Sequence, residues 1–162
     1  MRKRNNKNYA NFVRCKKLNI KKVLENTTIG NFVLSLWNKC GYKTIDEKDL
    51  PHLLLYGHKR DWLEDSDEIN QKKPLDRRTA ARIIHQFMKI EMHIPDEKDI
   101  SKAEILKDLY TCRVCANHIA QVVTKKIMQP ILAPDEKTYI FDSLALITKK
   151  EQEQIIEKIQ IK

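Results

Sequence analysis

Only three glycines and five prolines punctuate the 162 residues of this chain, and that scarcity limits the fold more than any motif does. A sandwich or barrel of short strands needs a turn roughly every ten residues, built largely from Gly, Pro, Asn and Asp. The same shortage leaves no Gly-rich phosphate loop, so neither a P-loop nor a dinucleotide-binding fingerprint is present. Helices, which need few turns, are the remaining solution.

The apolar pattern agrees. Thr27 and Thr28 precede Ile29, Phe32, Val33, Leu36 and Trp37, whose three-and-four spacing marks one helix face. Gly41 is placed to stop that helix. After a charged loop over 42–50, Pro51 suits the first turn of a second helix over 52–62, with Leu54, Leu55, His58 and Trp62 on one side. An acidic loop over 64–73 leads to Asp76, the cap of a strong helix striped by Ala80, Ile83, Ile84, Phe87 and Met88 and closed before Pro95. Ser101 and Glu104 read as a capping box that opens a long helix through Ile105, Leu109, Cys112, Ala116, Ile119, Ala120 and Val123. A loop over 129–142 then separates it from a last helix near Thr148, using Glu151, Ile155, Ile156 and Ile159. A weaker helical signal (Phe12, Cys15, Leu18, Ile20, Val23) covers 11–24. The expected class is all-α.

Charge divides the chain sharply. The formal net charge is +9, yet residues 1–22, including Arg2, Lys3, Arg4 and Lys7, hold nine basic and no acidic side chains. The rest is neutral. A basic arm over 1–22 followed by one helical domain over 23–162 is therefore the expected organisation. The arm has no apolar run of signal-peptide length, and no stretch is long enough to span a bilayer. The chain as written is expected in the cytoplasm, or at the cell wall if a leader has been removed, with its four cysteines as free thiols.

Cap followed by helix recurs at Thr28, Asp76 and Thr148, a repeat of one helix–loop–helix unit. The run from Pro74 to Ile90 resembles the start of the S-layer homology domain, whose signature is an apolar residue, then Thr-Arg-Ala-Glu, then a helix rich in Ala and aliphatics. Asp99-Ile100 through Ile127-Met128 is similar to the family's other helix. Ile147-Thr148-Lys149-Lys150-Glu151 is similar to a next copy of the signature, and residues 27–32 to an eroded first copy. The resemblance spans roughly residues 24 to 160. It implies a pseudo-threefold bundle of helix–loop–helix repeats, a three-part helical prism that binds a cell-wall polysaccharide carrying ketal-linked pyruvate. The signature Arg lines grooves between repeats there, and Arg suits a carboxylate because its fork makes two parallel hydrogen bonds.

Carried over, the resemblance gives ligand-binding roles to Arg77, Arg78, Thr148 and Lys149. The first copy has Ile29 at the Arg position, so its groove is not expected to bind. The second has Asp76 for the Thr and Thr79 for the Glu, and the third has Lys149 for the Arg. Lys126 stands where the connecting helix should end on Gly.

Cys112-x-x-Cys115-x-x-His118 has zinc-like residue types. Inside an unbroken helix, however, its first and last members lie about 120° apart around the axis and about 9 Å along it. A redox pair would want a helix N-terminus, whereas these cysteines fall three turns into a helix that starts at Ser101. The expectation is a core Cys112 flanked by Cys115 and His118, with no metal and no cofactor. His52, His58, His85 and His93 are scattered, and His85 reads as a boundary residue. Asp61, Glu64, Asp65, Asp67 and Glu68 read as a solvated loop, since calcium-loop spacing is absent. Arg77, Arg78 and Arg82 form a basic face, suited either to an anion at a helix N-terminus or to a solvated first turn. The expected function is a non-enzymatic binding module for an acidic wall polymer or a protein partner. The alternatives are a protein- or nucleic-acid-associated regulator acting through the arm, and a metal- or thiol-dependent protein using Cys112, Cys115 and His118.

Overall fold

The computed structural model describes residues 26–40 and 44–159. The basic arm, the segment 11–24 and Gly41 lie outside them. Among the described residues six α-helices and one small hairpin surround a continuous apolar cluster running from Ile29 to Ile159. No helix there is long and apolar enough to cross a membrane. The class is mostly α.

Helix α1 (Ile29–Lys39) starts where the Thr28 hydroxyl accepts from Asn31 N–H at 3.2 Å, and it buries Ile29, Phe32, Val33 and Leu36. A 3-10 turn (Glu47–Asp49) leads into α2 (Leu50–Lys59), with Pro51 in its first turn as expected. Leu53, Leu54 and Gly57 face the core, while Leu55 is exposed. Trp62 lies beyond the helix end, fully buried and edge-on to Phe87 at 5.0 Å. The acidic stretch expected as a solvated loop instead contains α3 (Asp65–Ile69). Glu64 and Asp67 make a reciprocal capping box there, which the run of acidic residues obscured. Helix α4 (Arg77–Ile90) buries its whole predicted stripe, with Asp76 accepting from Thr79 N–H at 2.8 Å.

The long helix expected from Ser101 is absent. Residues 101–112 form consecutive turns, and α5 (Arg113–Thr124) begins only after Cys112. The buried side chains Ala103, Leu106 and Leu109 recur every three residues, and N–H groups there bond carbonyls three residues back, as Ala103 does to Ile100 and Leu106 to Ala103. Asp108 also accepts from Phe141 N–H at 2.7 Å and Asp142 N–H at 2.9 Å, which ties the segment to the far side of the hairpin. That hairpin pairs β1 (Ile131–Leu132) with β2 (Tyr139–Ile140), antiparallel, where a loop was expected. Helix α6 (Lys149–Glu157) is capped by Thr148, whose hydroxyl accepts from Glu151 N–H.

Few glycines did not prevent tight helix ends. Asp61 and Lys126 adopt positive φ (62° and 60°) and close α2 and α5 in Schellman motifs: Ile127 N–H reaches the Val122 carbonyl and Lys126 N–H that of Val123. The described glycines serve close approach instead. A Cβ on Gly30 would meet Leu50 Cδ2 at 2.9 Å, and one on Gly57 would meet Leu63 Cδ1 at 2.7 Å.

The residues just before three of the caps are hydrogen-bonded to one another. Thr27 N–H donates to the Ile147 carbonyl, Ile147 N–H to Leu75, and Leu75 N–H back to Thr27, at 2.9, 2.9 and 3.0 Å. Each of these residues immediately precedes a helix cap, and each is buried. Around the ring, Ile29 and Gly30 N–H donate to Lys73 and Gln71, while Arg77 and Arg78 N–H donate to Ala145 and Ser143. In both cases the acceptors sit at the same offsets before the next cap.

Candidate functional site

This arrangement leaves a cleft between neighbouring caps. The one between the start of α1 and α4, walled by α3 and α5, has a volume of about 410 Å³ and is bordered by Ile29, Asp67, Lys73, Arg78, Cys115 and His118. The one between α4 and α6, about 440 Å³, is bordered by Arg77, Gln129, Thr148, Lys150, Glu151 and Lys158. The third, about 210 Å³, lies between α6 and α1 and includes Thr27, Asn31, Lys149 and Gln152. The four residues expected to bind ligand border three clefts: Arg77 and Thr148 the second, Arg78 the first, Lys149 the third.

Arg77 is not a free cation. It is 4% exposed, it pairs with Glu151, and it donates from Nε to the Phe141 carbonyl at 2.8 Å and from Nη2 to the Gln129 carbonyl at 2.7 Å. Its guanidinium also lies 4.7 Å from the centre of the Phe141 ring. Burial pulls its pKa below the ordinary value, while Glu151, Asp142 and Asp108 oppose that pull. This side chain ties α4 to α6 and to the hairpin.

The α4 N-terminus is likewise occupied. The N–H groups of Arg77 and Arg78 go to carbonyls, that of Thr79 to the Asp76 side chain, and that of Ala80 to the Asp76 carbonyl. Of the two readings of this first turn, the one in which backbone N–H groups hold an anion loses its donors, because none of the four is left to donate.

In the first cleft most charges have partners. Arg82 bonds the buried Asp67 at 2.6 Å and Glu64 at 3.3 Å. Outside the cleft, Asp65 and Glu68 face His58 at 2.8 and 3.6 Å. Arg78 has only a 3.7 Å approach to Asp76 and leaves 45% of its side chain exposed. Lys73 is exposed and makes no ion pair among the described residues. These two are the cations that remain for a ligand. Lys73 was not singled out in the sequence, although its place just before the Asp76 cap was visible there.

Behind Arg82 runs a chain the scattered histidines did not foretell. His85 Nε2 is 2.8 Å from Asp96 Oδ1, and His85 Nδ1 is 2.8 Å from His118 Nδ1. The contact between the rings needs one Nδ1 to donate and the other to accept, while His85 Nε2 meets the Asp96 carboxylate. Burial, then the neighbouring His85 and Arg82, push His118 down to about 4. The hydrogen bond from His85 holds Asp96 below the usual carboxylate range.

Cys112 and Cys115 are joined in a disulfide, which corrects the expectation of free thiols; Cys40 is the free cysteine among the described residues. They are also at the N-terminus of α5, not three turns inside a helix, because the helix starts twelve residues later than its apparent cap at Ser101. No group of three or more His, Cys, Asp or Glu among the described residues is arranged to hold a metal ion. Comparison with protein-family models, with curated proteins and with solved structures finds no match.

Proposed function

We propose that the chain is a non-enzymatic binding module, an S-layer-homology-like prism in which α1, α4 and α6 are equivalent units, and that its working surface is the cleft between α1 and α4. The observation that carries the binding reading is the pair Lys73 and Arg78, exposed cations on a cleft whose other charges are already paired. The prism reading is supported by the closed ring of hydrogen bonds before the three caps and by the repeated acceptor offsets around it. The ligand class is an acidic polymer, such as a wall polysaccharide bearing ketal-linked pyruvate. One carboxylate can take the Arg78 fork while Lys73 adds a point charge. Arg77, equated with the family's ligand-binding cation, works instead as an internal tie.

Equilibrium binding to pyruvylated wall polymer, with the same polymer stripped of pyruvate as control, tests this reading. Arg78→Ala with Lys73→Ala is expected to weaken binding at least about tenfold, the loss of ~1.4 kcal/mol or more from charge-assisted hydrogen bonds. Binding that ignores both substitutions, or that persists on the stripped polymer, removes the proposal.

A further inference from the structure

A C-x-x-C pair that was expected mid-helix sits where a helix begins, and this changes what it can do. Cys112 is the cap residue of α5 and Cys115 lies in its first turn. No side chain caps this helix, no acidic residue lies in its first turn, and the N–H groups of Arg113 and Val114 find no protein acceptor among the described residues. The other three long capped helices use Thr28, Asp76 and Thr148 for that purpose. Cys112 thus holds the cap position at the positive end of the helix, where a thiolate is favoured, with Arg113 the next residue. Both cysteines are half-buried, Cys115 borders the first cleft and Val114 between them is exposed, so the bond is reachable from solvent. A disulfide closing so short a loop also constrains the unfolded chain very little, which makes a purely stabilising role weak.

We infer that Cys112–Cys115 is a thiol–disulfide exchange site, with Cys115 the sulfur attacked from the cleft and Cys112 the leaving thiolate held at the α5 N-terminus. This goes beyond the binding reading and does not depend on it. A thiolate RS⁻ attacks Cys115 Sγ, the S–S bond breaks, and its electron pair goes to Cys112 Sγ. The product is a mixed disulfide R–S–S–Cys115. A second RS⁻ attacks the R-side sulfur and releases R–S–S–R and the Cys115 thiolate, and the two cysteine thiolates take the two protons the thiols gave up. Two RSH are oxidised to one R–S–S–R as the protein disulfide is reduced to a dithiol. The co-reactant is a thiol, either small or borne by a protein.

The test equilibrates the folded full chain in buffers of varying glutathione to glutathione-disulfide ratio, and separately with a reduced thioredoxin-type dithiol protein. Alkylation and peptide mass analysis then report each cysteine. Reversible conversion of the 112–115 peptide between disulfide and dialkylated forms, with the native fold retained, is expected, and whichever reductant works faster identifies the source of the thiol. Cys112→Ser is expected to trap glutathione on Cys115. In Cys115→Ser, the remaining Cys112 is expected to alkylate about tenfold faster at neutral pH than Cys115 does in Cys112→Ser, as for a thiol at a helix N-terminus. A pair reduced only after unfolding is a structural staple and overturns the inference. So does stoichiometric zinc on the reduced protein, or equal alkylation rates in the two variants. Cys40 is an internal control, since burial pushes its thiol up to about 11.

Discussion

Two adjacent arginines show how far residue type underdetermines role. Arg77 and Arg78 open the same helix, yet one is buried under Phe141 with three hydrogen-bonded partners and the other reaches solvent. Arg77→Ala leaves Glu151 and two carbonyls without their donor, and it is expected to lower unfolding stability by about 3 kcal/mol, the usual consequence of removing one partner of a buried pair. Arg78→Ala should change stability by less than about 0.5 kcal/mol. Urea unfolding of both variants checks this; equal effects would contradict the assignment. His118 adds a pH term. Its folded pKa near 4 lies below the ordinary 6.5, so between those values the unfolded chain binds a proton that the folded chain does not. Its contribution is therefore complete above pH 6.5 and is lost as pH falls toward 4. Melting temperatures measured from pH 7 to pH 4 should fall more steeply for the natural chain than for His118→Asn, which keeps a side-chain polar group but cannot take up the proton. Parallel curves would refute the assignment.

At the scale of elements, caps and stripes were legible because they are local. Thr28, Asp76 and Thr148 each accept from the N–H three residues on, and the α4 stripe follows the helical period throughout. The Ser101 segment misled because its capping box is also local, whereas what overrides it is not. Asp108 is claimed by backbone N–H groups at 141 and 142, and Ala103, Leu106 and Leu109 keep a period of three rather than 3.6. That three-residue spacing was present in the sequence; the long-range ties were not. The placement of the C-x-x-C followed from this one misjudged boundary. Helix ends carry a further consequence. Lys126 occupies a left-handed position that a Cβ disfavours, so Lys126→Gly is expected to stabilise the chain by about 1 kcal/mol. A midpoint of urea unfolding that stays level or falls would show that the Lys126 side chain contributes something the backbone argument omits.

At the scale of the molecule, the ring of Thr27, Leu75 and Ile147 joins segments far apart in sequence, and no local pattern encodes it. Three clefts lie beside the caps, and the neighbours Arg77 and Arg78 border different ones. Hence the recurrence of caps could be read from the chain while the division of labour among cations could not. Arg77 and Arg78 look alike until the hairpin carbonyls and Glu151 are in place. The most direct test of a working surface between α1 and α4 is an NMR titration of the full chain with a fragment of pyruvylated wall polymer. Side-chain and amide signals of Lys73, Arg78 and Thr79 are expected to move together and saturate, while those of Arg77 and Lys149 stay in place. Movement centred on Arg77, Thr148 and Lys149, or no movement at all, would contradict it.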